Sequence, residues 1–137
     1  MVDDVIVNKT AIIERCLKRI AQEHAGDDRN LFENLTKQDS IVLNLQRACE
    51  AAIDLAMHVV ATRRLGVPQE SREAFDLLAT AGHIDGDLAE RLKRMVGFRN
   101  VAVHDYRALA LPIVRSIITE RLGDFLALTK AMLRQEP

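Results

Sequence analysis

The stretch from Thr36 to Leu65 constrains the fold more than any other part of the chain. At helical periodicity it is apolar nearly all round, interrupted by Asn44, Arg47, Asp54 and His58, which fall within an arc of roughly 80°. Such a helix must be covered on several sides by other apolar elements. Thr36, with Asp39 three residues on, predicts its start, and Gly66 followed by Pro68 predicts its stop near Leu65.

The covering elements are also helical. Val5, Ile6, Ile12, Ile13, Cys16, Leu17 and Ile20 recur at helical spacing and predict a first helix from about Asp4 to Glu23, capped by Asp3 or Asp4. The polar cluster 25–30 predicts a loop. A short helix is expected from Ser71 to Ala81, stopped by Gly82. Asp85 caps a further helix reaching Phe98 or somewhat beyond. Pro112 opens a last helix with Val114, Ile117, Ile118, Leu122, Phe125, Leu126, Met132 and Leu133 as its apolar positions. No stretch alternates like a strand. Aromatic residues make up only 4% of the chain, so Leu, Ile, Val and Ala must fill the core. The expected fold is all-α: one domain over residues 1–137, an up-and-down bundle of four long helices and one short one.

Charge and cysteine usage narrow the function. The net charge of −1 excludes a broadly basic coat, so any contact with nucleic acid must be local. Between Arg91 and Arg107 the local balance is +4. Cys16 and Cys49 lie in apolar helical patterns and suit buried thiols in a reducing compartment. The acidic start Met1-Val2-Asp3-Asp4 lacks the basic and apolar regions of a secretion signal, and Ile41–Val60 carries too many polar residues to span a membrane. A cytoplasmic location is expected. Asp27-Asp28 and Asp85-x-Asp87 read as turns and caps, no metal-ligand spacing occurs, and no Gly-rich phosphate loop is present, so no cofactor is expected.

The chemistry concentrates in Arg99-Asn100-Val101-Ala102-Val103-His104-Asp105-Tyr106, which holds the only tyrosine. Arginine presents planar, permanently charged donors to phosphate, and imidazole exchanges protons near neutrality. Spacing alone is weak evidence: fourteen Arg and four His give roughly 0.4 Arg-x4-His matches by chance, and Arg19 to His24 is a second match. Asn100, the His104-Asp105-Tyr106 tail and a place between two predicted helices distinguish the first. On one straight helix Arg99 and His104 stand about 140° apart. Either the helix breaks between them, or they line a groove whose far wall comes from another element or subunit. A symmetric dimer would bring together two arginines and two histidines. The polar seam, with Glu50 near its edge, is either a solvent-facing strip or the wall of that groove, making Arg47, Glu50 and Asp54 possible supporting residues.

Arg99-Asn100-x-x-x-His104-x-Tyr106 ahead of a last helix in a small all-helical chain resembles the HepT toxins of the HEPN superfamily. The likeness covers nearly the whole chain, including Gln46-Arg47-Ala48-Cys49-Glu50-Ala51 and Leu65-Gly66-Val67-Pro68. It implies a homodimeric, metal-independent endoribonuclease, the toxin of a type VII toxin-antitoxin system. It also implies an antitoxin partner like MntA, a minimal nucleotidyltransferase that moves AMP from ATP to the motif tyrosine. Carried over, Arg99 and His104 are the catalytic pair, Asn100 positions substrate, and Tyr106 accepts AMP. The residues by themselves also fit a non-catalytic module that binds a nucleotidyltransferase or a nucleotide.

Overall fold

The computed structural model describes residues 3–105 and 110–134. Among them the chain forms seven helices and no strand: α1 (Asp4–His24), α2 (Arg29–Phe32), α3 (Leu35–Thr62), α4 (Ser71–Thr80), α5 (Gly86–His104), α6 (Leu111–Glu120) and α7 (Leu122–Leu133). The all-α bundle is as expected. Its organising element is α3, which packs against α1, α2, α4, α5 and α7. Ile41, Leu45, Ala48, Leu55 and Ala56 are fully buried along it.

Local chemistry sets the ends. The Asp3 carboxylate accepts from the backbone N–H groups of Val5 (3.0 Å) and Ile6 (3.3 Å), starting α1. Its other oxygen lies 2.7 Å from Nε2 of His58, so one side chain caps α1 and ties it to α3. That bond holds the Asp3 carboxyl below its ordinary value. Asp85 caps α5 by accepting from Leu88 N–H at 2.7 Å.

Four regions differ from the sequence expectations. The polar cluster 25–30 is not all loop, because Arg29 and Asn30 open the single turn α2, which places Leu31 fully inside the core. The central helix is capped by Asn34, whose side-chain oxygen accepts from Lys37 N–H at 3.0 Å, rather than by Thr36. It also ends at Thr62 rather than near Leu65. Leu65 N–H donates back to Val60 C=O at 3.0 Å, and Gly66 turns the chain at φ 146. That positive φ favours glycine, and a Cβ there would sit 2.9 Å from Leu77 Cδ2, so any other residue would also push the Leu77 side chain aside. The last apolar stripe is two helices, broken at Arg121 beside Leu122-Gly123, where glycine weakens helix continuity. Leu126 and Leu133 of that stripe are exposed.

The fourth difference bears on the site. α5 runs unbroken to His104, with Asp105 N–H donating to Val101 C=O at 2.8 Å. Residues 98–104 contain no glycine or proline to stop it, and Phe98 and Ala102 carry the buried stripe through. The motif from Arg99 to His104 therefore lies on the last turns of a helix, not between helices.

Two stability measurements check this packing. Leu45→Ala removes a fully buried side chain and is expected to cost about 2–5 kcal/mol, seen as a fall in Tm of about 5–15 °C. Asp27, held by Arg29 at about 2 against an ordinary 3.8, adds stability that is complete above 3.8 and lost as pH falls toward 2. Urea midpoints over that range should lose this slope in Asp27→Asn.

Candidate functional site

Continuity of α5 fixes where the motif side chains go. Arg99 sits beside the buried stripe of Phe98 and Ala102 and reaches across to α3, where its Nη1 donates to Glu50 Oε1 at 3.0 Å. The Arg99 side chain is only 22% exposed, so its charge is partly withdrawn from water and its direction is fixed. Its Nε is buried and has no hydrogen-bond partner among the described residues. Asn100 and His104 are exposed. The histidine, the last residue of α5, lies about 140° round the helix from Arg99. Between the two alternatives left by the sequence, the helix does not break, which leaves a groove whose far wall comes from another element or subunit. Tyr106 lies outside the described residues.

The polar seam of α3 separates into distinct jobs. Glu50 orients Arg99. Asp54 pairs with Lys9 at 3.2 Å and His58 with Asp3, so both hold α1 rather than the site. Asn44 donates to Ser40 C=O at 2.8 Å. Arg47 is exposed and lines a groove between α1 and α3. The chance match ends differently: His24 is held by Asp28 at 2.8 Å, and Arg19 lies on the α1/α3 groove.

A cleft of about 190 Å3 lies against Arg99 and Asn100, closed by Val96 of α5 and by Glu70, Ser71 and Arg72 at the start of α4. The Arg72 guanidinium lies over Gly97, with Nη2 3.1 Å from where a Cβ would be. Two guanidinium groups, an amide and a hydroxyl thus border one small space together with the Glu70 carboxylate, and the two fixed cations make it a candidate phosphate site. Sequence reasoning missed Arg72. Its signal was Gly97, a glycine inside a helix that costs about 1 kcal/mol unless something needs the room.

Other groups are already occupied. Asp27 binds Arg29, and Asp85 caps α5. Among the described residues no group of three or more His, Cys, Asp or Glu could hold a metal ion. Cys49, directly before Glu50, is deeply buried, and burial pushes its thiol up to about 12, with Glu50 adding and Arg99 opposing.

A family profile described as Ribonuclease HepT-like matches residues 13–132. The chain belongs to this family. It is 50% identical over 123 residues to the mRNA nuclease HepT of Shewanella oneidensis, covering 90% of this chain and 92% of that protein. A tri-AMPylated HEPN toxin of Shewanella oneidensis, solved in complex with its MNT antitoxin, superposes with a TM-score of 0.91 at 46% identity, over 98% of this chain and 100% of that one. A toxin-antitoxin complex solved with AMP-PNP gives a TM-score of 0.92 at 45% identity, over 97% of this chain and 100% of that one. The sequence resemblance to HepT toxins is thereby established as membership.

Burial raises the Cys16 thiol too. Neither cysteine should therefore react with a thiol reagent at neutral pH in the folded protein, and both should react in denaturant. Native-state labelling of Cys49 would show that the Glu50–Arg99 wall opens.

Proposed function

We propose that this chain is a metal-independent endoribonuclease toxin whose active site is completed by a second copy. The observation that carries the reading is the split on α5, with Arg99 locked toward α3 by Glu50 and His104 exposed at the helix end. RNA cleavage needs a base for the 2′-hydroxyl proton, an acid for the leaving 5′-oxygen, and cations for the charge that builds on phosphorus. One protomer offers one motif histidine, and the two-fold related copy supplies the other.

In the mechanism this implies, Arg99 clamps the scissile phosphate and Asn100 positions it. His104 removes the 2′-hydroxyl proton, and the oxygen attacks phosphorus. The 5′-oxygen leaves with a proton from His104 of the partner subunit, giving a 2′,3′-cyclic phosphate and a free 5′-hydroxyl. Arg47 and Asp54 take no part in this step; Glu50 acts by holding Arg99. The site needs no metal.

Tyr106 is the proposed off-switch. Its phenol oxygen attacks the α-phosphate of ATP on an MntA-like antitoxin, losing its proton and releasing pyrophosphate. Each AMP adds a negative phosphodiester and a base two residues from His104, where they compete with RNA for Arg99. The tri-AMPylated state of the Shewanella oneidensis toxin supports this reading. Among the described residues no helix is long and apolar enough to cross a membrane. A toxin acting on mRNA works in the cytoplasm.

His104→Ala should lower RNA cleavage by the purified protein about 10²–10⁴-fold without lowering Tm, Arg99→Ala should do so by a similar factor with a small fall in Tm from the lost Glu50 pair, and EDTA should leave the parent rate unchanged. A requirement for Mg²⁺ would overturn the mechanism, and intact RNA with the parent protein would favour a binding module. After incubation with antitoxin and ATP, mass spectrometry should find AMP on Tyr106 and none in Tyr106→Phe. AMP on another residue would remove Tyr106 from this role.

A further inference from the structure

A cluster of unpaired positive charge lies away from the motif. A groove of about 610 Å3 between α1 and α3 is lined by Arg15, Lys18 and Arg19 from one side and Arg47 from the other, with Gln22 and Asn44 as further polar walls. No carboxylate lines it. Arg19 has a long contact to Glu23 at 3.8 Å, while Arg15, Lys18 and Arg47 make no ion pair among the described residues. Several other surface cations are matched: Lys9 with Asp54, Arg29 with Asp27, Arg91 with Asp124, Lys93 with Asp76, and Arg115 with Asp28. Four clustered cations in a chain of net charge −1 repel one another unless an anion joins them. The Cys16 thiol at the groove floor feels this field, since Arg47 and Arg15 both pull it down against burial.

The groove comes within one helical turn of the residue that holds Arg99. Arg47 and Glu50 are three residues apart on α3, hence neighbours on one face about 5–6 Å apart, and Glu50 holds Arg99. Arg15 and Arg19, one turn apart on α1, extend the positive line by about 6 Å. No aromatic ring lines the groove, so nothing there can stack on a base. Its lining also lacks the aromatic, apolar centre of a protein interface.

We propose that the α1/α3 groove is a binding track for the sugar-phosphate backbone of single-stranded RNA, flanking the scissile phosphate at Arg99 and contacting it through Arg15, Lys18, Arg19 and Arg47. The proposal rests on the nuclease reading for its ligand. Phosphate contacts position a strand without reading its sequence. The track therefore sets affinity and salt dependence, not the cleavage sequence.

The test compares the parent protein with Arg15→Glu/Arg19→Glu, and with Lys130→Glu/Arg134→Glu as a control of equal charge change on α7. The probe is a fluorescent 2′-O-methyl oligoribonucleotide, which binds but lacks the attacking hydroxyl. The groove variant should bind about tenfold or more weakly, with a salt slope smaller by about 1.4 for two lost phosphates, and the α7 control should bind like the parent. On cleavable RNA the groove change should raise KM rather than lower kcat. If circular dichroism shows the groove variant misfolded, Arg15→Gln/Arg19→Gln gives the same comparison with less repulsion. Equal loss in groove and control variants would overturn the track, because net charge alone would account for binding. Unchanged RNA affinity with lost antitoxin binding would also overturn it, making the groove a protein surface. A parent protein that binds the probe through the groove yet cleaves no RNA would leave the track standing and the nuclease reading failed.

Discussion

Burial of α3 is the constraint on which the rest depends. A 28-residue helix with apolar side chains on most of its circumference must be wrapped by neighbours, and α1, α2, α4, α5 and α7 do so. The few polar side chains of α3 must then leave through the remaining seam or meet a partner there. Each does one or the other. His58 and Asp54 fasten α1 through Asp3 and Lys9, Asn44 satisfies a carbonyl of its own helix, Glu50 fixes Arg99, and Arg47 leaves into the α1/α3 groove. The same packing that hides the helix thus fixes the direction of the Arg99 side chain.

Helix-end chemistry explains why most of the fold was legible in the sequence. Asp3 and Asp85 are caps of the expected type, and the periodic apolar positions named for α1 are largely inside. Three features of the helix ends have particular causes. Asn34 displaced Thr36 because a cap is chosen by the geometry of the preceding turn, here set by α2 holding Leu31 in the core. The break at Arg121 follows from docking two short stripes on different neighbours, which periodicity does not reveal. The extension of α5 through His104 followed from the buried Phe98 and Ala102 pair rather than from any stop signal.

The site was legible in part. Arg99 and His104 stood out by residue type and neighbours, and Glu50 was placed near the seam's edge, but its contact with Arg99 spans 49 positions and no local pattern encodes it. Arg72 left only the indirect trace of Gly97. The groove was hidden for a further reason. Its cations come from two helices and look like ordinary solvated positions on each, becoming a cluster only when α1 lies against α3.

The proposed reading, in which the motif is half of a site, follows from an unbroken α5 that sets Arg99 and His104 on different faces. It is tested most directly by a linked dimer in which one subunit is intact and the other carries His104→Ala. If the two histidines serve one reaction as base and acid, this dimer should cleave RNA about 10²–10⁴-fold more slowly than the intact linked dimer. A rate near half that of the intact dimer would show that each protomer holds a complete site, contradicting the account.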